Sequence, residues 1–122
     1  MLEEIIEKGF KALDIDLDPD ALRRFRIYHE YMEEINKVMN LTAISGEADV
    51  ARLHFLDCAA LLKLADFHGK SVLDVGTGAG FPGMVLKIAC PDIKLTLLDS
   101  LDKRIKFLRD LCDKLGFEDV NC

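Results

Sequence analysis

Up to about residue 67, apolar side chains recur at spacings of three and four, the period that lines one face of an α-helix. Leu2, Ile5, Ile6, Phe10 and Leu13 predict a first amphipathic helix. Asp18 and Pro19 suit the cap and first turn of a second, along which Leu22, Phe25, Tyr28, Met32, Ile35 and Met39 continue the spacing to about Asn40. A loop from Asn40 to Gly46 then leads to a third helix over residues 47–67, with Val50, Leu53, Leu61, Leu62 and Leu64 available for its core.

From Ser71 the pattern becomes strand, glycine turn, helix, strand. Ser71 to Val75 is a short run that ends in glycines, and Pro82 to Ala89 supplies a helix whose first turn tolerates the proline. Ile93 to Leu98 reads as a second buried strand, and Leu101 to Leu115, closed by Gly116, as a second helix of this region. The predicted class is α/β: N-terminal helices over residues 1–70, then, over 71–122, the first βαβα units of a Rossmann-like parallel sheet with right-handed crossovers. Val120 would open a third strand at the point where the chain ends.

Composition narrows the picture. The chain has 122 residues, 50% of them hydrophobic, enough for one modest core. No apolar run reaches the ~18 residues that cross a bilayer, and Met1-Leu2-Glu3-Glu4 lacks a basic, then apolar, leader, so a soluble cytoplasmic protein with no membrane partner is expected. The net charge of −6 argues against a general nucleic-acid binder, but seven acids against two lysines in residues 1–20 supply −5 of it. The basic clusters Arg23-Arg24-x-Arg26 and Lys103-Arg104-x-Lys106-x-x-Arg109 read as solvated helix faces. Cys58, Cys90, Cys112 and Cys122 form no CxxC pair, so they are expected to be reduced packing residues and no metal site is assigned.

The informative stretch is Asp74-Val75-Gly76-Thr77-Gly78-Ala79-Gly80-Phe81-Pro82-Gly83, where a strand hands over to a helix. Glycines there let the backbone turn with positive φ and approach a ligand that a Cβ would block. Asp99 closes the next strand, 23 residues after Gly76, near the spacing at which an acid grips the hydroxyls of a bound ribose. A nicotinamide dinucleotide fingerprint would place its last glycine where Phe81 stands. The run instead fits the D-x-G-x-G-x-G form of S-adenosylmethionine-dependent methyltransferases.

Asn40-Leu41-Thr42-Ala43-Ile44, His54-Phe55-Leu56-Asp57, the glycine stretch from Asp74 to Gly83, and Leu98-Asp99-Ser100 with Lys103-Arg104 and Phe107-Leu108 occur in this order. In that order they resemble the glucose-inhibited division protein B family, the bacterial guanine-N7 methyltransferases of 16S ribosomal RNA in the small ribosomal subunit. The resemblance covers essentially the whole chain. It implies that S-adenosylmethionine is the cofactor and that residues 71–122 begin the domain that binds it. Gly76, Gly78, Gly80 and Phe81 would surround its methionine and ribose portions, and Asp99 would hold the ribose. Family members continue for about as many residues again, so the chain is expected to be a truncated, N-terminal portion.

His54 and Asp57 lie three apart on a helix and share a face, where they would meet each other or a substrate. Asn40 to Thr42 would be a helix C-cap and turn, and by resemblance a lining of the pocket mouth. No catalytic side chain is assigned: N7 of guanine carries an exposed lone pair and loses no proton before attack, so alignment suffices. Two other functions fit the motifs less well, a non-catalytic S-adenosylmethionine-binding module and a nicotinamide-dependent dehydrogenase fragment. In this class of methyltransferase the first strand lies mid-sheet, so a chain ending early leaves its edge bare and self-association through that edge is expected.

Overall fold

The computed structural model describes residues 1–122. The chain opens with α1 (Leu2–Ala12) and α2 (Ala21–Asn36), followed by one helical run made of α3 (Glu47–Asp49), a π-helical segment (Val50–Leu56), α4 (Asp57–Ala59) and a 3₁₀ segment (Ala60–Lys63). The second part is β1 (Ser71–Val75), α5 (Gly83–Ala89), β2 (Lys94–Leu98) and α6 (Asp102–Leu115). The α/β class and the order of elements are those the sequence predicts.

In α1, Leu2, Ile6 and Phe10 form one buried stripe, each burial contributing roughly 1.5–3 kcal/mol. The helix stops because Asp14 turns left-handed, at φ 56°, and the Ile15 amide reaches back to the Phe10 carbonyl at 2.9 Å. The second helix ends earlier than its apolar spacing suggests. Its last residue, Asn36, accepts hydrogen bonds from the amides of Leu41 (2.7 Å) and Thr42 (3.1 Å) and donates to the Thr42 carbonyl (3.0 Å). Asn36, and not Asn40, therefore organises the turn.

Residues 47–63 depart most from expectation. The π turn rotates the helix relative to an α-helical reading, so Val50, Ala51, Phe55 and Ala59 are buried while Leu53 and Leu64 are 51% and 79% exposed. Phe55 sits at the centre of an aromatic cluster with Phe25 (4.8 Å between centroids) and Tyr28 (5.2 Å).

Of the three arginines of α2, Arg23 is solvated as expected, but Arg24 and Arg26 are not. Arg26 donates to Glu3 of α1 (2.5 and 2.9 Å) and to Glu47 of α3 (2.8 Å), and Arg24 donates to the Leu115 carbonyl (3.1 Å) while lying over the Phe117 ring. The Arg26 hydrogen bond pulls the Glu3 carboxyl down to about 2. A carboxylate depressed in the folded state stabilises the fold above its unfolded pKa, and that contribution fades as pH falls from about 4.5 toward about 2. Urea midpoints should therefore drop across this window by more in the wild type than in Glu3→Gln, the difference between the two curves closing as the acid limit is reached.

β1 and β2 pair in parallel, Ser71 opposite Lys94 through Val75 opposite Leu98. The anticipated third strand is represented by one parallel bridge, Thr96 to Asn121, on the far side of β2. The sheet face carrying Leu95 and Leu97 is buried under the helices, whereas Leu73, Val75 and Leu98 on the opposite face are exposed. The ammonium of Lys87 is buried near the far end of α5, donating to the carbonyls of Pro91 and Ile93 and to Asp119. The four cysteines are unpaired. No helix is long and apolar enough to cross a membrane.

Candidate functional site

Parallel strands leave their carboxyl ends open where each hands over to a helix, and there the glycine stretch lies. Gly76, Gly78 and Gly80 take φ values of 72°, 59° and 101°. All of the loop's amides except that of Ala79 have acceptors within the protein. Gly76 and Thr77 donate to the Leu98 carbonyl (2.8 and 3.1 Å), Gly80 and Phe81 to the Thr77 carbonyl (3.0 and 3.1 Å), and Gly78 to a carboxylate oxygen of Asp99 (2.9 Å).

Asp74, which the sequence marks only as the acid before the first glycine, is the organiser of this turn. Its Oδ2 accepts from the Thr77 hydroxyl (2.7 Å) and from the Gly83 amide at the start of α5 (3.0 Å). A carboxylate thus already occupies the place where a helix N-terminus would hold a phosphate.

The glycines divide into two kinds. A Cβ on Gly76 or Gly78 would meet no atom within 4 Å, so the loop is open on that side. A Cβ on Gly80 would lie 2.6 Å from the Tyr28 hydroxyl, and one on Gly83 2.8 Å from both Asp74 and Leu97. Gly80 therefore faces the helical layer, where the Tyr28 hydroxyl donates to the Ala79 carbonyl at 2.5 Å and ties α2 to the loop.

Asp99 stands at the end of β2 beside Gly78. Its side chain is 2% exposed; Oδ1 accepts from the Leu101 amide (3.0 Å), and Oδ2, besides Gly78, faces the Arg104 guanidinium at 3.5 Å. The Leu101 bond, with those from Gly78 and Arg104, holds its carboxyl below the usual range against the opposing effect of burial. Phe81 is sandwiched between His54 (4.0 Å, nearly parallel) and Tyr28 (5.5 Å). The His54 Nε2 is 2.9 Å from the Thr42 hydroxyl, so its partner is Thr42 and not Asp57, which is exposed. Burial lowers the His54 pKa, and the negative charge of Asp57 opposes that shift. The structure thus brings Thr42, His54, Phe81 and the glycine loop together and leaves Asn40 and Asp57 on the surface.

A family model described as rRNA small subunit methyltransferase G matches residues 21–122. The chain belongs to this family, GidB. Proteins named ribosomal RNA small subunit methyltransferase G are similar along nearly all of it: one from Alkaliphilus oremlandii is 47% identical over 94% of the chain, one from Lachnoclostridium phytofermentans 44% over 93%, and one from Clostridium perfringens strain 13 39% over 96%. The chain spans about half the length of these relatives, 48–49% of each.

Within this GidB chain, sequence reasoning misses three contributors to the site: Asp74 as the loop's acceptor, Tyr28 as its tether and Asn36 as the residue that sets Thr42. The first had a local signal in its position before the glycines. Tyr28 had none, because its contact joins residues 51 apart and its spacing reads only as core.

Proposed function

We propose that the chain forms the cofactor-binding N-terminal part of an S-adenosylmethionine-dependent methyltransferase acting on a guanine N7 of 16S ribosomal RNA. In this reading residues 1–70 cover and brace the loop, and residues 71–122 begin the Rossmann-like domain that receives the cofactor in the cytoplasm. The observation that carries the cofactor's identity is the loop's hydrogen bonding. A dinucleotide needs free amides for its pyrophosphate. Here six of the seven amides from Gly76 to Gly83 have internal acceptors, the seventh belongs to the buried Ala79, and carboxylates stand at both ends of the turn. Such a surface suits a cationic ligand with sugar hydroxyls and disfavours a phosphate.

Gly76 and Gly78 provide the open floor against which the ligand lies, Gly80 and Phe81 fix the loop's inner wall, and Asp99 takes a ribose hydroxyl. One lone pair on its Oδ1 remains beyond the Leu101 bond, and the 3.5 Å Arg104 contact is the weakest of the three to displace. When bound, the cofactor supplies a sulfonium-activated methyl. The protein's own task is then to align and exclude water, with no general base required. No residue of the chain is assigned a proton-transfer step. A non-catalytic module would share this loop, and methyl transfer to small ribosomal subunits separates the two readings.

Calorimetry tests the assignment: S-adenosylhomocysteine should bind with one-to-one stoichiometry and NAD should give no heat, and the opposite preference would overturn it. The bare edge of β1, whose face exposes Leu73 and Val75, is proposed to drive self-association. Light scattering should show mass rising with concentration in the wild type; a constant monomer mass contradicts this.

A further inference from the structure

We infer that His68, Cys90 and Asp92 form a binding site for a zinc-class divalent cation, at the end of the sheet opposite the glycine loop. His68 lies in the turn before β1, Cys90 caps α5, and Asp92 sits in the turn that enters β2. The His68 Nδ1 is 3.3 Å from the Cys90 sulfur and 3.3 Å from Asp92 Oδ2, and the sulfur is 3.0 Å from Asp92 Oδ1.

These separations decide the chemistry. Tetrahedral angles at zinc, with bonds of ~2.3 Å to sulfur and ~2.0–2.1 Å to nitrogen or oxygen, put neighbouring donor atoms roughly 3.3–3.5 Å apart. Asp92 turns a different oxygen to each neighbour. One donor atom from each of thiol, imidazole and carboxylate lies within 4.8 Å of the others, so a small rotation of the exposed Asp92 and His68 side chains brings them to three corners of a zinc polyhedron. They do so without a Cys-rich motif, because the fold joins a residue before β1 to two that follow α5, 22 and 24 positions on. Cys spacing alone cannot find such a site.

The sulfur is rigidly placed, since Cys90 is 4% exposed at the end of a buried helix. His68 and Asp92 have side chains 76% and 58% exposed, so the cation has an open approach. Without metal the thiol donates to Asp92 Oδ1. Binding replaces that hydrogen: the S–H bond breaks, a zinc–sulfur bond forms, and the proton leaves to solvent. A cleft of about 280 Å³ beside His68 and Cys90 leaves room for water as the fourth ligand. The site ties the exit of the helical layer to the α5–β2 turn, and it acts as a metal staple remote from the glycine loop.

Cobalt(II), with its tetrahedral visible bands and thiolate charge-transfer absorption, is the direct probe, and zinc competition and melting the second. The protein should bind one cobalt with a thiolate band that zinc abolishes, and zinc should raise the melting temperature. His68→Ala, a change at an exposed position that keeps the fold, should weaken cobalt binding by about a hundredfold or more and erase the zinc-induced rise. Cys90→Ser should lose the thiolate band, while Cys112→Ser with Cys122→Ser should keep it. Absence of the band in the wild type, its survival in Cys90→Ser, or unchanged affinity in His68→Ala would each overturn the site.

Discussion

Gly80→Ala should cost about 3 kcal/mol or more and lower the melting temperature by on the order of 10–15 °C. Two effects add. The residue sits at φ 101°, a conformation that side chains rarely adopt, which costs about 1–3 kcal/mol. Its new methyl would also press on the Tyr28 hydroxyl at 2.6 Å, on Met84 Cβ at 3.1 Å and on Leu108 Cδ2 at 3.2 Å. Tyr28 is fully buried among Phe55 and Phe81 and cannot swing away, so the loop itself must shift, and overpacking of this kind costs another ~1–3 kcal/mol. Thermal melts read the total. Melting within a degree or two of the wild type would mean that Tyr28 does not hold the loop from beneath.

The second large effect is expected at Asp74. Removing its carboxylate in Asp74→Ala strands the Thr77 hydroxyl and the Gly83 amide, each donating to an ionised acceptor worth roughly 1.5–3 kcal/mol, so a loss of about 3 kcal/mol is predicted. Both bonds end on one oxygen, Oδ2, and the amide oxygen of asparagine can take its place. Asp74→Asn should therefore lose only about 1 kcal/mol. Urea midpoints measure the two variants, and hydrogen exchange at Gly83 reports the local opening. Equal losses in both would show that charge at the start of α5, and not acceptance by Oδ2, is what stabilises the turn.

These two residues also mark how far the sequence reaches. Periodicity found α1 and α2, and the alternation of strands and helices with glycine punctuation found β1, β2, α6 and the parallel topology, because each is written locally in the chain. The left-handed Gly116 that closes α6 was readable for the same reason. The π segment was not: a single widened turn leaves no apolar signature, yet it moves Leu53 and Leu64 out of the core and Phe55 into it. The bracing roles of Arg24 and Arg26 depend on partners 91, 23 and 21 positions away, which only the tertiary fold supplies.

The site divides in the same manner. Gly76, Gly78 and Asp99 were legible as a βα turn and a strand-end acid, since both features are written within one βαβ unit. That six of the seven amides from Gly76 to Gly83 are internally bonded is a property of backbone geometry that no residue pattern encodes.

Titration of S-adenosylhomocysteine into the wild type and into Gly78→Val asks whether the glycine turn receives the ligand. A Cβ at Gly78 would meet no protein atom within 4 Å, so the backbone strain of φ 59° is the main cost to the fold and the added bulk enters the open side of the loop, the space proposed for the ligand. The variant should still fold cooperatively but bind at least about a hundredfold more weakly, a loss of roughly 2.7 kcal/mol. A folded Gly78→Val chain that binds S-adenosylhomocysteine as tightly as the wild type would mean that the ligand does not lie against the glycine turn.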